Sequence, residues 1–575
     1  MRVGGQQRPR RRGGRRGALV LAVAAAGLVL LPVVALLVGV VSGGAEPWQR
    51  LGVSGVERQT VSTLALLALV VAGTLALGGG LAWLTAAYRF PGRQVVSWLL
   101  VLPLAVPGFV LGLVYASLLS YAGPVQSVSR AAFGDDAWFP PVRTMPVAAA
   151  VLTLSLYPYV YLLARAAFRS SAPRRTASPR TLGLGPVRAA LRVVVPLARP
   201  SLAAGALLVA LETLSDVATV QYFGVDTLSV GIYRVWRGQF DRPAATVLAV
   251  LVLLLALSLL AVERWLRRGA RYSPRVLSTA PLAPVRLHGG RAWAAAAVCW
   301  TVLGIAVVIP VATLVTWSTT TSLRGVDGSF DTAFVTAAAN SALLAAQAAA
   351  VVVVLAVLLV HAARVDARRR VRAAVQATLS GYAVPGPVLA IGALLVLAAG
   401  RDLLDAAGLP GGGTLVTGSV AALVAVYAVR FLALGFTTVE ARLASVSPSL
   451  TSAALSLGAA PRRVLRSVHL PLARSGVAVA AVLVAVDAMK ELPIVLLLRP
   501  VGFDTLSVRV WQLAADSRYE MAGLPALAIV LVAMVPVALL FRRELRDAPA
   551  AAPAPVESRD GVDDELRLVL AGTGR

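Results

Sequence analysis

The sequence predicts an all-α polytopic membrane protein made of two homologous, parallel six-helix halves. Four observations predict it. The 575 residues are 58% hydrophobic and 14% charged, whereas soluble domains carry about 25% charged residues. Apolar runs of about 20 residues, enough to cross a bilayer, recur along the whole chain, about 12 of them. Alternating strand patterns of the membrane-barrel type are absent. Finally, a polar, basic, proline-broken segment occurs twice, at matching places in the two halves.

The chain opens with MRVGGQQRPRRRGGRRG, a basic tail over 1–17, followed by an apolar run over 18–41. The run is too long for a signal-peptide core and no clean small-x-small cleavage site follows. It therefore reads as a retained first span with its basic tail inside. Spans at 61–87, 95–122, 146–168, 200–223 and 244–263 complete a first half over 18–263, with its core at 61–263. Residues 264–292 are basic and broken by Pro and Gly, and read as a cytoplasmic linker. The second half, 293–541 with its core at 333–541, holds spans at 293–317, 333–362, 373–399, 415–436, 475–498 and 523–541. The Ala/Pro-rich, charged stretch 542–575 reads as a disordered cytoplasmic tail.

The net charge of +27 suggests a nucleic-acid partner until its placement is considered. Nearly all the basic residues are Arg; Lys490 is the only Lys. They gather in loops on one side: Arg174 with Arg175, Arg267 with Arg268, and Arg368 to Arg370. The opposite loops mix signs, as in Asp135, Asp136 and Arg143, or Asp516, Arg518 and Glu520. This is the positive-inside asymmetry of a membrane protein, with both termini cytoplasmic. It argues against a nucleic-acid face. A lone Cys299 allows no disulfide within the chain.

The two polar islands are LGLGPVRAALRVVVPLAR from Leu182 and LGAAPRRVLRSVHLPLAR from Leu457. Gly183 matches Gly458, Pro186 matches Pro461, Pro196 matches Pro471 and Arg199 matches Arg474, each 275 residues apart. The pentapeptide DTLSV from Asp226 recurs from Asp504, at an offset of 278. Shared Leu and Ala could be chance in apolar sequence; two prolines, a glycine and DTLSV in register could not. Six spans per half make the repeat parallel.

Each island reads as a helix–turn–helix. Ser447 and Pro448 suit a helix start. Leu450, Ala453, Ala454 and Leu457 share one face, Gly458 permits a sharp turn, and Pro461 starts a new short helix. In that helix Val464, Leu465 and Val468 oppose Arg462, Arg463 and Arg466, and Pro471 is expected to stop it. The first island sets Val187, Leu191 and Val194 against Arg188 and Arg192. A helix lying on lipid headgroups would look similar. Two symmetric copies point instead to a docking surface for a two-fold cytoplasmic partner.

The pattern LG-x(12)-LPLARPG resembles the cytoplasmic coupling loop, the EAA loop, of binding-protein-dependent ABC importer permeases. The resemblance covers both halves, best over about 146–260 and 415–540. Fused halves, with Asp487-Ala488-Met489-Lys490-Glu491-Leu492-Pro493 and Gly502-Phe503-Asp504-Thr505-Leu506, are similar to the ferric-iron permease branch. The resemblance implies a translocation subunit in the bacterial inner membrane. It implies two separate ATPase subunits that use ATP and Mg, and an extracytoplasmic solute-binding protein. The coupling residues it implies are Gly183, Pro186, Arg188, Leu191 and Pro196, with Gly458, Pro461, Arg463, Leu465 and Pro471. The family's opening Glu is replaced here by Ala177 and Ser452, and Ser475 stands where the motif has Pro. Thiamine, phosphonate or other small solutes are alternative cargoes.

The chain carries no Gly-Lys-Ser/Thr phosphate loop, since Lys490 lies between Met and Glu. ATP hydrolysis is therefore expected in a partner, and no bound cofactor or catalytic constellation is expected here. No dense His/Cys/Asp/Glu metal motif occurs, and His288, His361 and His469 fall in or beside predicted loops. An ion-coupled secondary transporter and a membrane-embedded enzyme are the readings from other classes.

Charges inside spans carry the remaining functional signal. Glu212 and Asp216 lie in the fifth span; Asp487, Lys490 and Glu491 lie in the eleventh. The 275-residue offset pairs Glu212 with Asp487 and Asp216 with Glu491; within each span the two acids, Glu212 with Asp216 and Asp487 with Glu491, stand at i, i+4 on one helical face. They are expected either to line a cation pathway or to form a structural network around Lys490. Asp226, Arg234, Asp504 and Arg509, in or beside the DTLSV loops, are candidates for binding-protein contact, with a simple turn as the plain alternative.

Overall fold

The computed structural model describes residues 9–44, 46, 48–49, 55–136, 138–181, 192, 195–267, 285–323, 331–366, 368–408, 418–444 and 446–547. Contacts divide the chain into a body ending at Pro536 and a second unit, Val537–Arg575. Among the described residues eleven helices are long and apolar enough to cross a bilayer, or twelve if one bent pair counts as a single span.

The first half contains α1 (Pro9–Ser42), α2 (Val56–Ala87), α3 (Arg93–Leu99), α4 (Gly108–Leu118), α5 (Met145–Thr181), α6 (Val195–Ser215), α7 (Leu228–Tyr233) and α8 (Arg242–Arg267). The second contains α9 (Gly289–Leu303), α10 (Ile309–Leu323), α11 (Thr332–Val365), α12 (Arg369–Leu379), α13 (Gly386–Ala406) and α14 (Val420–Ala444). It continues with α15 (Pro448–Ser456), α16 (Leu470–Lys490), α17 (Pro493–Leu498), α18 (Leu506–Ala515) and α19 (Gly523–Asp547). Helix α1 begins inside the expected basic tail and α19 runs past the expected end at 541. Arg favours helix almost as well as Leu, so an Arg-rich flank prolongs a span rather than ending it.

The expected spans at 95–122 and 373–399 are broken. In the first half, Arg93–Ala105 and Gly108–Leu118 meet at 90°. The elbow is Val106-Pro107, with Val106 extended (φ −96°, ψ 108°). Val384-Pro385 makes the same elbow between α12 and α13, with Val384 at φ −84°, ψ 121°. Proline drives the preceding residue out of the helical region, which breaks both spans at equivalent places. The repeat behind this is Ala-Val-Pro-Gly, at Ala105–Gly108 and Ala383–Gly386.

The halves of the sequence are not the halves of the packing. Ala22 and Ala25 of α1 lie in a buried cluster whose other members, including Leu359, Val375, Leu432 and Phe436, all come from the second half. Conversely Ala292, Ala295, Cys299 and Leu303 of α9 pack with Leu81, Val96, Tyr157 and Phe168 of the first half. A short parallel bridge pairs Tyr88 with Val285, and Tyr115 donates to the Ile305 carbonyl at 2.6 Å. Each first span thus lies against the opposite half's core. Both α1 and α9 are apolar nearly all round, so either can satisfy any apolar face. The connection and the available groove decide which.

Candidate functional site

The fifth and eleventh spans both stop at an acid. Helix α6 ends at Ser215 and α16 at Lys490; Asp216 and Glu491 follow, each at a break before a short helix. Asp216 accepts from the Thr219 hydroxyl at 2.6 Å and from the Val220 amide at 3.2 Å. Glu491 accepts from the Ile494 amide at 3.2 Å. The acids therefore satisfy amides that the break leaves without helical partners. Each faces the other repeat element, the Pro-Gly elbow: a Cβ on Gly108 would stand 3.5 Å from an Asp216 oxygen, and one on Gly386 3.2 Å from a Glu491 oxygen.

All five charged residues singled out in the spans line one cavity of about 150 Å³. Glu212, Asp216, Asp487, Lys490 and Glu491 share it with Ser155, Tyr159, Tyr382 and Arg430. Lys490 pairs with Asp487 at 2.8 Å and donates to the Leu104 carbonyl of the other half at 3.4 Å. The Ser215 hydroxyl accepts from the Gly386 amide at 3.3 Å, so the two helix ends reach across in both directions. Arg430, buried on α14, lies 3.7 Å from Glu212. Four carboxylates thus meet two cations in one cavity. Ionised groups at membrane depth are costly unless they are partnered; here Glu212 and Asp487 face cations, and Asp216 and Glu491 accept hydrogen bonds at their helix breaks.

Sequence reasoning missed Arg430, Tyr159, Tyr382 and the elbow. Two signals were there to read: an arginine inside the apolar run 415–436, and the Ala-Val-Pro-Gly repeat at an offset of 278.

At one end of the bundle stands the second island. Ser447 caps α15 by accepting from the Ser449 amide. Leu450 and Leu457 are exposed, and Gly458 turns the chain at φ +85°. Val464 is buried while Arg462, Arg463 and Arg466 are exposed, so the two stripes fall as the spacing predicted. The expected stop at Pro471 does not occur. Pro461–Lys490 is one continuous helix, with a π-turn over Leu465–His469 immediately before the proline. The wider turn accommodates a residue without an N–H and clears its ring from the preceding carbonyls. Leu465 is half-buried on that turn.

The island is pinned to α11 by two histidines that the sequence pattern puts in or beside loops and the structure puts in helices: His361 in α11 and His469 in the π-turn. The Nδ1 atoms of His361 and His469 lie 2.9 Å apart, so one ring donates and the other accepts. The Nε2 of His469 is 2.9 Å from the buried Thr451 hydroxyl of α15. Arg364 donates to the carbonyls of Leu443 and Val446 at the start of the island. In the first island Pro196 opens α6 and is exposed; Gly183, Pro186, Arg188 and Leu191 lie outside the described residues.

The DTLSV repeats have a common structural task. Thr227 and Thr505 cap α7 and α18 by accepting from the Val230 and Val508 amides. Leu228 and Leu506 donate their amides to Thr63 on α2 and Ser341 on α11, at 3.0 and 2.8 Å. Ser229 and Ser507 donate to the Leu214 and Met489 carbonyls, at 2.5 and 2.9 Å. Their charged neighbours are nearer the surface. Asp226 pairs with Arg234 at 2.9 Å, Asp504 pairs with Arg499, and Arg509 pairs with Asp331 at 2.6 Å.

Two parallel bundles of spans that enclose one charged cavity, with a helix–turn–helix displayed at one end, define a membrane transport permease. The sequence comparisons name the kind. The chain belongs to the family described as the binding-protein-dependent transport system inner membrane component, which matches residues 75–272 and 362–543, once in each half. It is a multi-pass inner-membrane protein of the ABC importer permease class. It is 26% identical to the Fe(3+)-transport system permease protein FbpB 2 of Haemophilus influenzae, over 83% of this chain and 88% of that one. It is 30% identical to the sulfate transport system permease protein CysT of Salmonella typhimurium, over 31% of this chain and 65% of that one. A putative 2-aminoethylphosphonate transport system permease protein, PhnU of Salmonella paratyphi A, is 26% identical over 37% of this chain and 76% of its own.

Proposed function

We propose that the chain forms the pathway of an ATP-driven importer for a hard cation, ferric iron, with the cavity at the broken spans on the solute's route. One observation carries this reading: four carboxylates, two from each half, converge on a single cavity with only two cations. Ferric iron prefers hard oxygen ligands, and a relative spanning most of the chain is named for ferric transport. The energy comes from two separate ATPase subunits docked on the islands. The exposed Leu450, Leu457 and Arg462, Arg463 and Arg466 supply the apolar and basic contacts of that surface. The islands and both termini then face the cytoplasm. An external binding protein delivers solute at the DTLSV end, where Asp226, Arg234, Asp504 and Arg509 lie near the surface.

Uptake of radiolabelled ferric iron by cells carrying the chain with its ATPase and binding protein tests the reading. Glu212→Gln together with Asp487→Asn is expected to reduce uptake to background with assembly intact. Unchanged uptake would remove the carboxylates from the pathway. A second reading, an oxyanion cargo, draws on Arg430 and Lys490 in the same cavity and on the sulfate and phosphonate relatives. It predicts that the double variant leaves iron irrelevant and sulfate or phosphonate uptake undiminished.

A further inference from the structure

The cavity's charges are not arranged with the two-fold regularity of its backbone. At the 275-residue offset, Arg430 corresponds to Ser155 and Lys490 to Ser215. All four line the cavity, so the acids are shared equally while both cations come from the second half. Arg430 is the more deeply placed, with its side chain only 6% exposed. One guanidinium nitrogen donates to the Val384 carbonyl at 2.7 Å, and the carbon lies 5.5 Å from the centre of the Tyr382 ring. These contacts hold the group at the α12–α13 elbow. Its Nε has no hydrogen-bond partner. Its approach to Glu212, at 3.7 Å, is an attraction between charges too long for a hydrogen bond. Glu212 remains 29% exposed and open to another cation.

We propose that Arg430 is the resident counter-cation of this pathway and determines its selectivity. With the cavity empty, its fixed charge occupies the field of Glu212, as Lys490 occupies that of Asp487. A passing cation has to compete with that charge for the carboxylates. Attraction to the acids and repulsion from Arg430 both scale with ionic charge, so Arg430 weakens the cavity's field for every cation, and the net field of four acids and two cations still holds a trivalent ion more strongly than a divalent or monovalent one. An arginine held beside a pore likewise opposes the entry of cations, so an ion must gain more from the acids than Arg430 takes away. Arg430 thus raises the charge an ion needs before the cavity retains it, and limits leakage of weakly charged ions. The proposal rests on the cavity being the solute's route.

The test uses the full chain with its ATPase partner in liposomes, and reads Mn2+ influx without ATP by quenching of trapped calcein. Arg430→Met is expected to raise Mn2+ influx about tenfold, while Arg430→Lys stays near the parent. Should the Met variant fail to assemble, Arg430→Gln, which keeps a donor for the Val384 carbonyl, gives the same reading. Influx unchanged in the neutral variant, or raised equally by Lys, overturns the proposal. The route is tested independently with Ser155→Cys, labelled by a cationic methanethiosulfonate; the native Cys299 is fully buried. Labelling that leaves ferric uptake intact overturns the pathway reading and this proposal with it. Labelling that blocks uptake while Arg430→Met stays tight overturns this proposal alone.

Discussion

His469→Phe removes the polar pin beneath the second island while nearly preserving ring volume. The parent ring makes two polar contacts, to His361 and to Thr451, both at 2.9 Å. It also packs edge-on against His361, with ring centres 5.0 Å apart, a contact that phenylalanine can retain. Each hydrogen bond contributes about 1 kcal/mol net, so the variant loses about 2 kcal/mol at the joint between α15, the π-turn and α11. The loss is local, because the residue ties the island to α11 and takes no part in the cavity. Local opening of the island should therefore become roughly 30-fold more frequent. Hydrogen exchange of the amides over 450–468 reads this directly in the purified full chain. Under the proposed function, affinity for an ATPase partner should fall as well, since the island would spend more time open. Exchange changed by less than about 2-fold would mean that the pair contributes under 0.5 kcal/mol, and that packing at Val464, buried to 1%, holds the island alone.

Two further outcomes follow from backbone geometry and from the loop clamps. Gly458→Ala meets no atom within 4 Å of its new Cβ, so its cost is purely that of φ +85°, about 1 kcal/mol; under the proposed function co-purification of an ATPase partner should weaken, and Gly458→Pro, which cannot adopt that angle, should abolish it. Thr63→Val and Ser341→Ala each leave a buried amide, that of Leu228 or Leu506, without its acceptor; each should destabilise by about 1–3 kcal/mol, with nearly additive losses in a thermal melt of the double variant because the sites lie in different halves.

How far the sequence reached can be judged at particular residues. The acids Glu212, Asp216, Asp487 and Glu491 were legible because charge in an apolar run is conspicuous, and the repeat paired them. Arg430 carries the same signal but no charged counterpart, since Ser155 stands in its place. The island's stripes were legible because helical spacing is local. Pro471 misled for the same reason: proline ends isolated helices, yet a π-turn one residue upstream absorbs it. The DTLSV repeat was visible as letters, but its purpose depended on Thr63 and Ser341, 165 residues away in each half.

By itself the sequence determined the spans, the two-fold repeat, the turn at Gly458 and the acids at membrane depth. All of these are set by hydropathy, φ preference and spacing within a few residues. Only the tertiary structure decided that α1 and α9 exchange halves, that Arg430 faces Glu212, and that His361 meets His469 across 108 residues. An apolar helix surface accepts many neighbours with similar energy, and a side chain's partner depends on where the whole bundle places it. Such choices are made by packing, which no local pattern encodes.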